Sequence, residues 1–352
     1  MQWGVPLLLA TVLFLGTEIL VQGSIVCEGT ECQLQSSRWV VFSSDAQPFY
    51  LFFAPITTLL WSVNIGYTPI VVIVVPTGYT REDTSVPRPQ GWKILDLVLA
   101  RTEEAGGKVG LLYNNKGKDG IIKDGTVSQL SRLYAAALNL SAEDYILTSD
   151  VDMFPLSKDH FHQQDFSPLP VHLFYANAYS HVFAKDGTVM YPLCYIGMKA
   201  ATWKEVMGIP TETRDDGKDV ERMQGMVLAA IEDGIARYGK DRWQDSRKQD
   251  GDIQWYFDQV LFGEMISKWW GHPQECLKIP RYPFRDRLDR SRWTFTGLRE
   301  ELNGKIDSHV LRPGHIEQNW PKLVQLLAVL LPEDKVAWLQ SYRAEFMQIL
   351  AQ

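Results

Sequence analysis

Asp150-Val151-Asp152 follows directly on the apolar run Tyr145–Thr148, so two carboxylates stand where a strand ends and a loop begins. At the carboxyl edge of an open α/β sheet, such a pair faces the crevice in which these folds bind ligands. Carboxylate oxygens suit a hard dication such as Mn²⁺ or Mg²⁺, and a diphosphate can complete its shell. A cation held there stabilises a departing diphosphate. The plain alternative is a turn whose aspartates bond to backbone amides. A second charged segment, RYPFRDRLDRSRW, brings together Arg281, Arg285, Arg287, Arg290 and Arg292. It could cover a diphosphate or touch an anionic acceptor, or simply pair with Asp286 and Asp289 as solvated surface.

The elements that must position these groups alternate between strand and helix. PFYLFFAPITTLLW is read as a strand over Phe49–Phe53 that breaks at Pro55 into a short helix through Leu60, because proline favours a helix's opening turn. A membrane hairpin in this apolar region is set aside, since Asn64, Gly66 and Pro69 interrupt it. The β-branched run Ile70–Val75, bounded by Pro69 and Pro76, is a buried strand. WKILDLVLARTEEAG predicts a helix ending at Gly106-Gly107, and KVGLLY a strand. Thr126-Val127-Ser128-Gln129 has the pattern of a capping box, followed by Leu130, Leu133, Tyr134, Ala137 and Leu138 on one face. The alternation predicts an α/β fold with a mostly parallel sheet. Past Asp152, antiparallel strands are expected around an Asp186-Gly187 turn, and Leu323–Leu330 and Val336–Leu350 close the chain as a helical pair. No internal repeat is evident.

At 352 residues, with 45% apolar and 12% aromatic residues, the chain can build one large globular domain. A net charge of -7 argues against a nucleic-acid partner, which needs a broad basic surface. The stretch from Trp3 to Gly16 is apolar, and Val21-Gln22-Gly23 precedes Ser24 as small-residue cleavage sites do. Residues 1–23 are therefore expected to be a signal peptide, with a membrane anchor as the rival, and 24–38 a stem or linker. Either leader delivers the chain to the secretory lumen, with the Golgi expected, or to the outside if the leader is cleaved. Cys27 and Cys32 are near enough for a bridge, Cys194 reads as a small buried hydrophobe, and Asn139-Leu140-Ser141 is a glycosylation sequon.

The chain resembles the nucleotide-diphospho-sugar glycosyltransferases of the GT-A fold over most of its length after Arg38. The resemblance is carried by FFAPITTLLW with IVVIVV, by VSQLSRLYAA, by DVD after YILTS, by YPLCYIGMKAATWKEVMG, by WYFDQVLF and by DSHVLRPG, in that order. It implies a Rossmann-like mixed sheet flanked by helices in a single domain over 39–352. Residues 39–156 would bind the nucleotide-sugar and 157–320 the acceptor, with helices over 321–352. It also implies a cation on Asp150 and Asp152, a nucleotide near Ala54, Pro55 and Ile56, and Arg132 reaching toward the donor, although Arg132 lies opposite Leu130 and Tyr134 on its helix and the plain alternative is an exposed, salt-bridging arginine. A late histidine often adds a third ligand, which favours His309 over His315, and imidazole beside carboxylates suits manganese. An inverting transfer needs a carboxylate to take the acceptor's proton. Asp250, Asp252 and Asp258 are the candidates, Asp258 preferred, although Asp252 also suits a helix cap. Trp203 and Tyr195 are candidates to stack on an acceptor sugar, the plain alternative being core. The implied reaction moves a sugar from a nucleotide-diphosphate donor, a UDP-sugar foremost, to a glycan or glycoprotein hydroxyl. The rivals are a secreted, non-catalytic carbohydrate- or calcium-binding module and a nucleotidyltransferase that makes sugar nucleotides.

Overall fold

The computed structural model describes residues 25–28, 31–34, 36–81, 88–114, 121–162, 169–176, 189–211, 217–244, 253–269, 276–278 and 283–352. The leader, the Asp186-Gly187 turn, Asp250, Asp252 and Arg281 lie outside them. In the segment expected to be a stem, β1 (Ile25–Glu28) and β2 (Glu31–Leu34) pair antiparallel, and the backbone register sets Cys27 opposite Cys32. The side chains of that expected bridge lie outside the description.

The first strand of the main sheet is β3 (Arg38–Asp45), whose apolar run Trp39–Phe42 is completely buried. Phe49–Phe53, expected to be that strand, belongs instead to a helical turn at Pro48–Leu51 that leads into the Ala54–Leu60 helix. Each helix carries a proline in its opening turn, where the fixed φ suits a helix and no amide is missed. The window Pro48–Ile65 is apolar and long enough to cross a membrane by composition, and here 67% of it is buried inside the fold. Gly66, at φ +83°, ends this helical stretch before β4 (Thr68–Val75). After the Gln90–Glu104 helix come β5 (Lys108–Tyr113), the Asp124–Ser131 helix and β6 (Tyr145–Thr148). The Asp124–Ser131 helix begins two residues before Thr126, whose hydroxyl faces Gln254 Oε1 at 3.3 Å, so no capping box forms there. A tertiary contact takes the hydroxyl that the local pattern assigned to the backbone.

The remaining strands are β7 (Met153–Pro155), β8 (Val171–Leu173), β9 (Ile196–Lys199), β10 (Cys276–Lys278), β11 (Arg287–Asp289) and β12 (Asp307–His309). Seven strands form one mixed sheet in the order β10-β8-β9-β6-β3-β4-β5, and β11-β12-β7 form a small second sheet. β3 is parallel to β4 and β6, and β4 to β5, whereas β9 is antiparallel to β6 and β8. Successive strands step outward from β3 to β5, and the chain then returns to lay β6 on β3's other side. The crevice above the β3/β6 boundary is therefore the topological switch point of the sheet.

Both faces of the sheet are covered, which is why β4 reads as an uninterrupted apolar run. Alternation divides the strands between two cores: Trp39, Val41, Ile70, Val72 and Val74 enter one, and Val40, Phe42, Val71, Ile73 and Val75 the other. The second core also receives the helices Trp320–Leu330 and Glu333–Leu350, docked around Phe52. The Phe52 ring lies 5.0 Å from Phe346 and 5.3 Å from Tyr342, whose hydroxyl donates to the Phe52 carbonyl at 3.0 Å.

His172 in β8 is 3% exposed, 5.7 Å from the Tyr145 ring, and burial lowers its pKa to about 4. The unfolded chain then binds the extra proton more readily, so this histidine's contribution to stability is complete above the ordinary histidine pKa and is lost as pH falls toward 4. His172→Phe is expected to remove up to ~3 kcal/mol of the acid-side decline, read from urea unfolding of both proteins at pH 7.5 and pH 4.5.

Candidate functional site

A cleft of about 330 Å³ opens at the switch point, lined by residues drawn from between Ser43 and Arg312. The end of β3 contributes Ser43, Ser44 and Asp45, and the loop after β6 contributes Asp150, Val151 and Asp152. The ladder persists one residue past β6, where the Ser149 amide donates to the Val41 carbonyl at 2.8 Å, and the chain then leaves the sheet. The loop is held from below by the Thr57 hydroxyl, which donates to the Val151 carbonyl at 2.5 Å.

The small sheet brings the cationic wall. His309 in β12 lies opposite Met153 in β7, and Asp289 in β11 lies beside His309, so the register delivers residues 289 to 312 to the aspartate loop. Asp152 Oδ2 accepts from Arg290 at 2.9 Å and lies 3.3 Å from Arg312 Nε and 3.4 Å from His309 Nε2. Burial by itself would raise the Asp152 pKa, but the His309 hydrogen bond and charge, with Arg312 and Arg290, reverse this and hold it at about 2. Nδ1 of His309 faces Asp289 Oδ2 at 3.4 Å, and the Arg312 guanidinium stands 4.6 Å from the Tyr50 ring. Arg287 is pinned in a two-pronged pair with Asp307 at 2.9 and 3.1 Å.

On the opposite wall Arg132 is 5% exposed, not the surface residue its helical position implies. It pairs with Asp150, donates to the Ser149 carbonyl at 3.0 Å, and reaches Asp258 Oδ2 at 2.9 Å. Burial raises the Asp258 pKa to about 6 against the pull of Arg132, and the Asp150 charge adds to the rise. The Ile253–Trp269 helix that carries Asp258 also places Trp255, Tyr256 and Gln259 on the cleft.

Of the anticipated residues, Asp150, Asp152, Arg132, Asp258 and His309 thus line one cleft. His315 lies in the core, 5.4 Å from Phe52. Ala54, Pro55 and Ile56 are completely buried inside their helix, so they support the aspartate loop through Thr57 and do not face a nucleotide. Ser43, Ser44 and Asp45, at the end of the first strand, line the cleft instead. Trp203 and Tyr195 are corrected likewise. Trp203 is 1% exposed with its indole donating to the Ile146 carbonyl at 3.0 Å, and Tyr195 is fully buried beside Phe161. Neither ring has a face left for a sugar. Asn139 is half-buried, and its backbone amide donates to Asp219 Oδ2 at 3.0 Å. Cys194 is buried at the cleft wall and carries no disulfide. Arg290 and Arg312 stand in an arginine-rich run and beside a candidate histidine. Their convergence on Asp152 has no local signal.

Two carboxylates and an imidazole are the donor types that manganese or magnesium accepts. Asp152 and His309 already face each other, whereas Asp150 is turned onto Arg132. Among the described residues no group of three His, Cys, Asp or Glu side chains is placed to hold a metal ion. The donor set fits a dication in type, with Asp150 as the member held elsewhere. A second, open depression between Gly297–Arg299 and Ala328–Pro332 has Arg299 as the sole charged residue of its lining.

No family model and no curated protein matches the chain. Among solved structures, it is similar to the galactosyltransferase LgtC in complex with donor and acceptor sugar analogues, at 11% identity and a TM-score of 0.43 over 84% of this chain and 98% of that one. It is similar also to mouse xyloside xylosyltransferase 1, at 12% identity and a TM-score of 0.33 over 78% and 97% of the two chains. The WbbM bifunctional glycosyltransferase gives 11% identity and a TM-score of 0.34 over 87% of this chain and 52% of that one. The functional reading therefore rests on the geometry of the cleft.

Arg132→Met would leave Asp258 buried without its counter-charge, at a cost of about 3–5 kcal/mol at pH 8. Because the Asp258 pKa is raised from 3.8 to about 6, its ionisation opposes folding as pH climbs through that window. The loss in Arg132→Met should accordingly be smaller at pH 5, where the carboxyl protonates, and adding Asp258→Leu should recover much of it. Denaturant titrations of the two variants at both pH values provide the check.

Proposed function

We propose that the chain is a lumenal, metal-dependent glycosyltransferase that moves a sugar from a nucleotide-diphosphate donor, a UDP-sugar foremost, to a hydroxyl of a glycan or glycoprotein. The observation that carries this is the Asp150-Val151-Asp152 loop at the β3/β6 switch point, facing a wall of guanidinium groups. Asp152 needs one counter-charge and has both Arg290 and Arg312, a surplus that a neutral ligand does not call for and a diphosphate does.

The residues divide the work by charge. Asp152, held ionised by His309, Arg312 and Arg290, and His309 itself would hold a Mn²⁺ or Mg²⁺ ion, and Asp150 would add its carboxylate only if it released Arg132. When bound, the dication neutralises charge that grows on the departing diphosphate. At the end of β3 the Ser43 and Ser44 hydroxyls donate to the Ser128 and Asp45 carbonyls, which leaves the Asp45 carboxylate as the group offered to the nucleoside. Arg290 and Arg312, which converge on Asp152, are the groups that would orient the phosphates, an effect that gains strength in a cleft closed to water. The bond from the sugar's anomeric carbon to phosphate breaks, a bond to the acceptor oxygen forms, and the acceptor's proton must be taken up. Asp258, with its pKa near 6, is the cleft carboxylate best matched to that proton in an inverting transfer.

Passage into the secretory lumen through the leader completes the proposal, with the Golgi as the site and secretion if the leader is cleaved. The test is turnover. Incubated with a panel of nucleotide-sugars, the full chain is expected to hydrolyse one donor slowly, with stimulation by manganese. Asp152→Asn is expected to lower that rate on the order of a hundredfold with an unchanged circular dichroism spectrum. Rates that survive a chelator would assign diphosphate neutralisation to Arg290 and Arg312 alone and remove the cation. Intact calcium binding without turnover of any donor would instead mean a non-catalytic module.

A further inference from the structure

Two features on one helix are left unused by this chemistry. Trp255 is 49% exposed although it lines the cleft, while most of the protein's other described tryptophans are buried or half-buried. An indole left half in water forgoes the burial that normally places such a residue in a core, and a solvated aromatic at a polar cleft is the usual shape of a carbohydrate platform. One turn further along, Gln259 presents a buried side-chain oxygen, Oε1, with no hydrogen-bond partner among the described residues. A buried acceptor left unpaired costs on the order of 1–3 kcal/mol unless a ligand or water supplies the donor.

Both side chains belong to the Ile253–Trp269 helix, and residues 255, 258 and 259 share a face because neighbours three and four apart do so. Asp258 lies between them in sequence and is tied through Arg132 to Asp150. The helix thus runs from a hydrophobic plate at the rim, past the carboxylate, to an unsatisfied acceptor. Across the cleft stand the diphosphate-facing Arg290 and Arg312. Phosphate chemistry needs neither an indole face nor a carbonyl oxygen, whereas a pyranose ring offers what each lacks: a patch of C–H groups for the indole and a hydroxyl donor for Gln259.

We infer that Trp255 and Gln259 form the subsite for the acceptor sugar, a pyranose whose apolar face stacks on the Trp255 indole while one of its hydroxyls donates to Gln259 Oε1. The inference rests on the transferase reading of the cleft for the word acceptor, though the sugar site itself can be measured without turnover. It replaces Trp203, which the core has taken, with a tryptophan fifty-two positions later that faces solvent.

The experiment has two arms on the full chain. In the first, saturation-transfer NMR follows methyl β-glucopyranoside, methyl β-galactopyranoside and methyl β-xylopyranoside with UDP and manganese present. The expected result is contact with at least one of them in the parent protein and loss of about tenfold in affinity in both Trp255→Ala and Gln259→Leu. No contact in the parent, or equal contact in Trp255→Ala, overturns the subsite. In the second, steady-state kinetics with the preferred donor should show a rise of about tenfold in acceptor KM in Trp255→Ala and a donor KM that moves less than about twofold. A donor KM that rises with the acceptor KM would assign Trp255 to the nucleoside and overturn the inference. If the parent turns over no donor, the transferase reading fails on that result, while the binding arm still decides the sugar site.

Discussion

A guanidinium that is 5% exposed stays charged only if carboxylates replace the water it has lost, and Arg132 lies between two of them. This ion triad joins the loop after β6 to the Ile253–Trp269 helix. It fixes the direction of Asp150, it brings Asp258 within 2.9 Å of a positive charge, and it thereby sets the width of the cleft on one side. Without it, the buried Asp258 carboxylate and the guanidinium would each face a low-dielectric interior alone, whereas Asp150 keeps contact with water.

The second wall repeats the same physics with the signs exchanged. There one buried carboxylate, Asp152, collects Arg290, Arg312 and His309. The surplus on that side is positive, and on the Arg132 side it is negative. Two aspartates of one cleft are thereby set apart, Asp152 held at about 2 by its cations against burial and Asp258 lifted to about 6 chiefly by burial, with the Asp150 charge adding to the rise. Environments that separate like groups in this way assign them different work, one as a permanent charge and the other as a group able to exchange a proton near neutrality.

Neither wall could be assembled without the sheets. The reversal of strand order at β3/β6 opens a crevice above the strand ends, and the pairing of β7 with β12 carries the distant Asp307–His309 segment to its mouth. The helices at the chain's end contribute no cleft residue. They cover the Phe52 side of the sheet and so keep the first helical turn, the Thr57 prop and the aspartate loop in place.

The residue pattern alone determined the alternating strands and helices, the buried β4, the closing helical pair, and the position of Asp150 and Asp152 at a strand's carboxyl end. These are local consequences of periodicity, proline and β-branching, which act over a few residues. Periodicity was silent where the competition was not local. Phe49–Phe53 has the composition of a strand and became a helical turn, and Thr126 has the pattern of a cap and turned to Gln254. Arg132 reads as a surface residue from its own helix because its partners lie 18 and 126 positions away. Trp203 and Trp255 are the same residue type on two helices, and only the packing of those helices against their neighbours decided which indole would be buried. Burial and charge pairing are properties of the assembled layers, and no window of sequence contains them.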